Sequence, residues 1–516
     1  VKHKFAIFVL CLALGLRLVA FFLTAIINQD GVLYIHQARA IYYDQWDSLL
    51  GCGIGYLSNY SIFIAGAYAV LRDWLIAAKS VSILFGTLTL VPLYLLLREF
   101  FRKQITLAAC LAFALIPVFV DKSVDVVRDP VYWFFLVFGF YFFAARRGTR
   151  KRLFLILSSV SMVMAAWARV EGALFIVVTI LYLIFSKEPR RTESIVFFAL
   201  PLGSVVLLGI GGLMIFNTGG GDLLRIGEIR SRISAPLINY INLRGDLLEL
   251  MRQQPGSIVA GFLHKARNMA WLVALGTVMK YAITSYFYPF FLLFLIGIPG
   301  IREKVGKDRR IFYLIVCSGS ALILLYIHVF QTWTMFNRFF ALFIVPSFVF
   351  VGFGLERTIE YIRSRFNLRD SVALITVCLL MVVCALPKSI NPRETDKQVF
   401  KQIGKIIVAR EGNEEVIKVT TSLPIIRWIS FYSNLDYKGA FCPERNYDIV
   451  DSVQEGYETF VGNLKGRGIQ YVLWDERHWP KGSLASIEVR GSKDFIKIGS
   501  WSHPDTGAMI LFEVGE

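Results

Sequence analysis

Apolar runs long enough to cross a bilayer recur along this chain, and they constrain its fold more than any other feature. A hydrocarbon core about 30 Å thick needs about 20 apolar residues in helical form. Runs of that length or somewhat shorter fall at 5–27, 75–97, 105–120, 131–145, 153–168, 173–185, 194–216, 281–299, 311–330, 339–355 and 372–386. They predict a polytopic α-helical membrane protein with about eleven transmembrane helices. Composition agrees, because only 18% of the residues are charged, whereas soluble domains carry about a quarter. The first run reaches Ile27 without a small-residue cleavage site, so it reads as an uncleaved span. The apolar stretch 60–71 is too short to cross and reads as an interfacial or re-entrant helix.

Lysine and arginine in the short loops set the orientation. Basic clusters occur at Lys2/Lys4, Arg98/Arg102/Lys103, 146–152, Lys187/Arg190/Arg191, 302–310 and 357–369. All fall on one side if the runs alternate, and that side is cytoplasmic by the positive-inside rule. A full span at 60–71 would throw 98–103 and 146–152 to the other side. The net charge of +17 is thus accounted for by cytoplasmic loops and calls for no nucleic acid. The N-terminus is expected inside and the C-terminus outside, in a cell inner membrane with the lipid bilayer as its solvent. Segments 28–74, 217–280 and 387–516 then face outwards. The expected organisation is a transmembrane domain at 1–387 and a small extracytoplasmic α/β domain at 388–516. In the latter, 415–420 and 469–474 read as buried strands. Residues 495–501 and 508–514 read as a hairpin around Pro504-Asp505-Thr506-Gly507.

The seven cysteines show no metal-ligand spacing. Cys11, Cys110, Cys317, Cys378 and Cys384 lie in apolar runs as small hydrophobes. Cys52 and Cys442 fall outside the runs, and whether they pair is left open. Ionisable residues at membrane depth are costly and mark function or a buried partner. Arg17 lies deep in the first span, Lys79 near the outer end of the second, and Arg169 and Glu171 in a short outer turn. For Arg17 and Lys79 the competing role is a helix-to-helix hydrogen bond or snorkelling to the interface.

Two acids are presented at the outer face. Asp30 follows the first span in Asn28-Gln29-Asp30-Gly31-Val32-Leu33-Tyr34, and Asp129 opens the fourth in Asp129-Pro130. Loop solvation for Asp30 and helix capping for Asp129 are the plainer roles. If helical, Asp121, Asp125 and Asp129 would share one side, which leaves a divalent cation open. No cofactor or metal cluster is required. The segment 217–280 is rich in base, with Arg225, Arg230, Arg232, Arg244, Arg252, Lys265 and Arg267. That suits an anionic ligand at the membrane surface or anionic lipid headgroups.

Together these residues resemble GT-C-type membrane glycosyltransferases, chiefly protein O-mannosyltransferases and the aminoarabinose transferases of lipid A. The resemblance runs from Leu14 to about Phe185. It is carried by Arg17, by Asp30 with Tyr34, by the 60–71 stretch, by Lys79 with Gly86-Thr87-Leu88, by Asp129-Pro130 and by Arg169-Val170-Glu171-Gly172. Asn337-Arg338-Phe339 is similar to the Arg-Tyr that opens a late span in many relatives. There is one departure: many relatives carry two adjacent acids after the first span, whereas Asp30 is followed by Gly31.

The resemblance implies a sugar donor on a polyprenyl phosphate, used at the outer, periplasmic face. A phosphate is already a competent leaving group, so one carboxylate acting as base suffices. Asp30 would deprotonate the hydroxyl of a glycan, lipid or protein acceptor, which attacks the anomeric carbon with inversion. Asp129 would orient the acceptor or a basic residue. Lys280, His264, Lys265, Arg267 and Arg338 are the candidates for neutralising the departing lipid phosphate. Tyr34, Arg169 and Glu171 complete the expected substrate contacts. The alternatives are a polytopic transporter or an envelope-polysaccharide assembly protein without transferase activity. A transporter predicts internal repeats and broken helices meeting at mid-membrane, and no repeat is visible.

Overall fold

The computed structural model describes residues 4–186, 190–216, 226–412, 414–484 and 494–515; at 4–5, 206, 208–216 and 226–233 it describes the backbone alone. The chain forms two compact units. The helical unit comprises Val1–Ala20, Ser82–Val124 and Arg128–Asn391; the sheet unit comprises Phe21–Val81, Asp125–Val127 and Pro392–Glu516.

The chain is a multi-pass membrane protein. Among the described residues five helices are long and apolar enough to cross a membrane: Trp74–Arg98, Gly148–Ala168, Arg309–Thr332, Asn337–Phe366 and Asp370–Ser389. Each coincides with an apolar run of the sequence. Shorter apolar helices lie at Ala6–Phe22, Asn59–Leu71, Asp129–Ala144 and Val170–Phe185. The run 105–120 is bent by 58° between Lys103–Leu115 and Pro117–Val124. The cause is local: Pro117 forces Ile116 out of the helical region, to φ −60 and ψ 118. In the helical unit the loops expected on one side do meet. Glu99 receives Arg310 at 2.7 Å and Arg147 at 3.3 Å, and Arg102 reaches Asp370 at 3.5 Å.

The expected span 281–299 is not one helix. A long helix, Ile258–Tyr286, ends at Phe287, and a short one, Tyr288–Gly297, leaves at 105°. Pro289 has no N–H to give and its ring would collide with the carbonyl four residues back, which favours a break at this point. Phe287 makes the corner at φ 66, a conformation unfavourable for an aromatic residue and held by the packing around it.

Below that corner the Tyr288–Gly297 helix packs closely on the Ala341–Phe366 helix. A Cβ on Gly297 would stand 1.9 Å from the Phe350 carbonyl oxygen, and one on Gly354 would stand 1.8 Å from that of Leu293. Small residues at such crossings let helix backbones approach within a membrane. Gly354→Ala is therefore expected to lower stability by about 1–3 kcal/mol through overpacking. Gly276→Ala, where a Cβ meets nothing within 4 Å, is expected to be neutral or mildly stabilising. Thermal unfolding of both variants in detergent checks the pair; equal melting temperatures would show that the close crossing does not matter.

The sheet unit carries four strands in the order β1-β2-β4-β3: β1 Val419–Thr421, β2 Tyr471–Asp475, β3 Phe495–His503 and β4 Gly507–Val514. β1 and β2 are parallel and wholly buried; β4 runs antiparallel to β2 and to β3. A parallel pair needs a crossover, and the helices Leu423–Ser433 and Tyr457–Arg467 lie in it. Ile449, Phe460, Leu464, Val472, Trp474 and Phe512 form the core under the sheet. The expected hairpin turns at Gly507, whose φ of +71 needs no Cβ.

The segment after the first span belongs to this unit. The Trp428 indole N–H donates to the Ile27 carbonyl at 2.8 Å, and the Arg39 guanidinium donates to the Asn434 carbonyl at 2.9 Å. The Arg393 N–H donates to Leu23 at 2.9 Å, and the Ala25 N–H to Arg393 at 3.2 Å. Cys52 and Cys442, left open by the sequence, form a disulfide with a Cα–Cα distance of 5.5 Å.

Candidate active site

Each unit carries a cluster of charged residues. In the sheet unit, Asp30 lies in the first turn of the helix Gln29–Tyr42. Asn28 caps that helix: its side-chain oxygen accepts the Asp30 N–H at 2.9 Å. A carboxylate in a first helical turn is favoured by the helix dipole. The Asp30 side chain is 44% exposed, so a substrate can reach it. Its Oδ1 accepts from Arg427 Nη1 at 3.2 Å, and Arg427 Nε donates to Glu444 Oε1 at 2.5 Å. Arg427 and Glu444 were not singled out from the sequence, where nothing local distinguishes them; only the pairing of Cys442, two residues from Glu444, could have drawn that segment to the first loop.

Tyr34, one turn beyond Asp30, is buried with its ring edge-on to Tyr60 at 5.4 Å. Further along the same helix, burial pulls the Arg39 guanidinium down to about 10 and holds the His36 ring below its ordinary value. Lys79 is nearly buried. Its Nζ lies 3.5 Å from the Thr24 carbonyl and 4.8 Å from the Phe21 ring centroid.

The departure at Gly31 has a steric cause. The Asp125–Val127 strap crosses the start of the Gln29–Tyr42 helix, and Asp125 Oδ1 accepts the Asn28 N–H at 3.0 Å. A Cβ at position 31 would stand 2.6 Å from the Val126 carbonyl oxygen and 2.7 Å from its Cβ. A second acid next to Asp30 has no room here. Gly31→Ala is expected to destabilise the protein by about 1–3 kcal/mol and Gly31→Asp by more. Unfolding midpoints check this; a Gly31→Asp variant as stable as the parent would contradict it.

The strap also corrects two readings. Asp121, Asp125 and Asp129 do not share a helix face, because one helix ends at Val124 and the next begins at Asp129. Among the described residues no three His, Cys, Asp or Glu side chains are grouped to hold a metal ion. Asp129 does not cap its helix either. It is the first helical residue, and its carboxylate accepts from Arg169 instead.

That pair centres the second cluster, in the helical unit. Arg169 Nη1 donates to Asp129 and Nη2 donates to Glu171 at 3.2 Å, with the three side chains only 4%, 3% and 10% exposed. The guanidinium lies 4.9 Å from the Phe339 ring centroid. Gly172 closes the turn where a Cβ would press on the backbone of Ala165 and Ala166 at 3.0–3.2 Å. Beside this cluster an apolar groove of about 310 Å³ runs between Val170, Leu174 and Val177 on one wall and Leu325 and His328 on the other, with Phe339 in its lining.

Arg338 lies in the turn Asn337–Phe340, its guanidinium 5.7 Å from the Phe336 ring and 5.4 Å from Phe339. The Ile258–Tyr286 helix abuts this turn: Thr284 and Ser285 donate to the Asn337 side chain at 3.0 and 3.1 Å. Lys280 is one turn back, exposed, with its Nζ 5.5 Å from the Tyr281 ring. The other basic candidates on that helix do not join it. At 1.5 Å per residue, Arg267 lies about 20 Å along the axis from Lys280, and His264 and Lys265 lie further. Arg267 is tied to the Arg244 carbonyl at 3.0 Å, and His264 to Asn268 at 3.2 Å. Arg225 and the side chains of Arg230 and Arg232 lie outside the described residues.

Residues 59–211 match the family model of dolichyl-phosphate-mannose-protein mannosyltransferases. No curated protein sequence matches the chain. Among solved structures, ArnT from Cupriavidus metallidurans bound to undecaprenyl phosphate superposes with a TM-score of 0.61 at 11% identity, over 99% of this chain and 98% of that one. The oligosaccharyltransferase AglB from Archaeoglobus fulgidus, in complex with an inhibitory peptide and a dolichol-phosphate, superposes with a TM-score of 0.55 at 12% identity, over 99% of this chain and 74% of that one. The fold is thus GT-C-like, and the resemblance drawn from the sequence stands.

Proposed function

We propose that this protein is a membrane glycosyltransferase that moves a sugar from a polyprenyl-phosphate donor to an acceptor hydroxyl, with Asp30 as general base. The observation that carries the reading is the placement of Asp30: a half-exposed carboxylate fixed in a capped helical turn beside an arginine, in a GT-C-like fold. The acceptor oxygen attacks the anomeric carbon and its proton passes to Asp30. The bond from that carbon to the phosphate oxygen breaks, so the configuration inverts and polyprenyl phosphate leaves. No acid is needed on the leaving side, because the phosphate carries the charge itself. Two similar structures hold a dolichol-phosphate and an undecaprenyl phosphate, which favours a lipid-phosphate donor here. Within the helical unit the apolar groove suits an isoprenoid chain. The Asp129–Arg169–Glu171 cluster, buried and internally paired, serves the architecture of that region.

The reading places the sheet unit outside the cytoplasm and the N-terminus inside. The disulfide supports it, since such bonds persist in oxidising compartments, as does the meeting of the basic loops around Glu99. The test is turnover by the purified protein in lipid nanodiscs. Incubation with a polyprenyl-phosphate sugar and a hydroxyl acceptor should release polyprenyl phosphate. Failure to consume any such donor, together with solute flux in sealed vesicles, would replace the reading by a transporter.

A further inference from the structure

We infer that Arg427, on the helix Leu423–Ser433 of the C-terminal segment, is the positioning residue for Asp30, and that Glu444 and the Cys52–Cys442 disulfide hold Arg427 in place. The inference rests on the proposed role of Asp30 and gives the C-terminal segment a part in that site.

The two contacts of Arg427 are unequal. Its Nε is committed to Glu444 at 2.5 Å, where the carboxylate is only 14% exposed. Its Nη1 reaches Asp30 at 3.2 Å, where the carboxylate is 44% exposed. The guanidinium is a rigid fork, so fixing Nε on the shielded acid aims Nη1 at the open one. The Asp30 contact is thus the looser, and it can yield to a substrate without the arginine moving.

Glu444 is fixed in turn. It follows Cys442 by two residues, and Cys442 is bonded to Cys52. Gly53, next to that bond and at φ +62, lies against the glutamate so closely that a Cβ would stand 2.5 Å from Oε2. The disulfide therefore anchors both strands of chain that box the glutamate. Asp30 and Arg427 are 397 residues apart in sequence, and this anchor stands beside their meeting point.

One cation between two carboxylates has a chemical consequence. When Asp30 takes the acceptor proton it loses its charge, and an arginine paired with it alone would be left uncompensated. Glu444 keeps Arg427 paired at that moment. The geometry orients Asp30 before the reaction and tolerates its neutral form afterwards.

The experiment uses the full-length protein with a polyprenyl-phosphate sugar donor. Arg427→Met should lower kcat about 10- to 100-fold with donor KM within about threefold. Arg427→Lys should recover little, because an ammonium cannot serve both acids in fixed directions. Guanidinium ion should partly restore Arg427→Ala, a response that a merely structural role would not give. Glu444→Gln and the paired Cys52→Ser/Cys442→Ser variant should fall in the same direction and add nothing to Arg427→Met. In an Asp30→Asn background, Arg427→Met should have no further effect on kcat. Independently of turnover, carbodiimide labelling of Asp30 followed by mass spectrometry should accelerate in Arg427→Met. Unchanged labelling, or an Arg427→Met loss that adds fully to that of Asp30→Asn, would overturn the inference. A wild-type protein inactive towards all such donors, with labelling accelerated as expected, would overturn the transferase reading while leaving the pairing intact.

Discussion

Replacing Arg169 by methionine is expected to lower the unfolding free energy by about 3–5 kcal/mol, because it strands buried charge. Asp129 and Glu171 both accept from this guanidinium, and their side chains are only 3% and 10% exposed. Both carboxylates are largely shut off from water when the arginine goes, and the Phe339 ring loses one of its two neighbouring cations, Arg338 remaining. Removing Asp129 at the same time should relieve part of the penalty. The double variant Arg169→Met/Asp129→Leu is thus expected to lose less than the sum of its single changes. Chemical unfolding in detergent, with donor turnover followed in parallel, measures this. A single variant as stable as the parent would show that the three charges are not closed off from solvent.

Asp30→Asn should do the opposite: large in rate, small in stability. A general base contributes about 10²–10⁴-fold, so kcat should fall by that factor, or by about 3–5 kcal/mol in the barrier. Donor KM should stay within a few-fold, because the asparagine keeps the shape of the side chain. Stability should fall by no more than about 1 kcal/mol, as Asp30 is nearly half exposed and Arg427 retains Glu444. Release of polyprenyl phosphate, measured against the unfolding midpoint, separates the two effects. A folded Asp30→Asn variant with parental kcat would remove Asp30 from the chemistry.

Legibility in the sequence followed the range of the forces involved. Apolar length is a local property, so the five long helices and the short 59–71 helix were readable, as was the hairpin around Pro504-Asp505-Thr506-Gly507. The break at Phe287 was legible in principle, since Pro289 sits inside the expected span; an apolar average hides it because proline interrupts a helix without making it polar. The capping alternative for Asp129 failed because capping is a local rule and its partner, Arg169, lies 40 residues on. For Asp30 the sequence marked the acid but nothing that holds it. Arg427 lies on the helix Leu423–Ser433 and Glu444 beyond its end, with nothing in their neighbourhood pointing to an acid 397 residues from Arg427, and they gain meaning only through the fold. The absence of a second acid was visible at Gly31, while its cause, the backbone of Val126, was not.

The way the sheet unit is assembled bears on how the protein can be made. Its first portion, Phe21–Val81, leaves the ribosome early, and its last strand ends at Val514. At about 5–20 residues per second, the 390 residues between Cys52 and Cys442 take about 20–80 s to synthesise. Throughout that interval Cys52 is a thiol without its mate, and the helix bearing Asp30 lacks the surface that receives it. Closure of this unit therefore waits until its last strand has been made. Any truncation ahead of Arg427 would leave the helix bearing Asp30 without its partners, although not one residue of that helix had been touched.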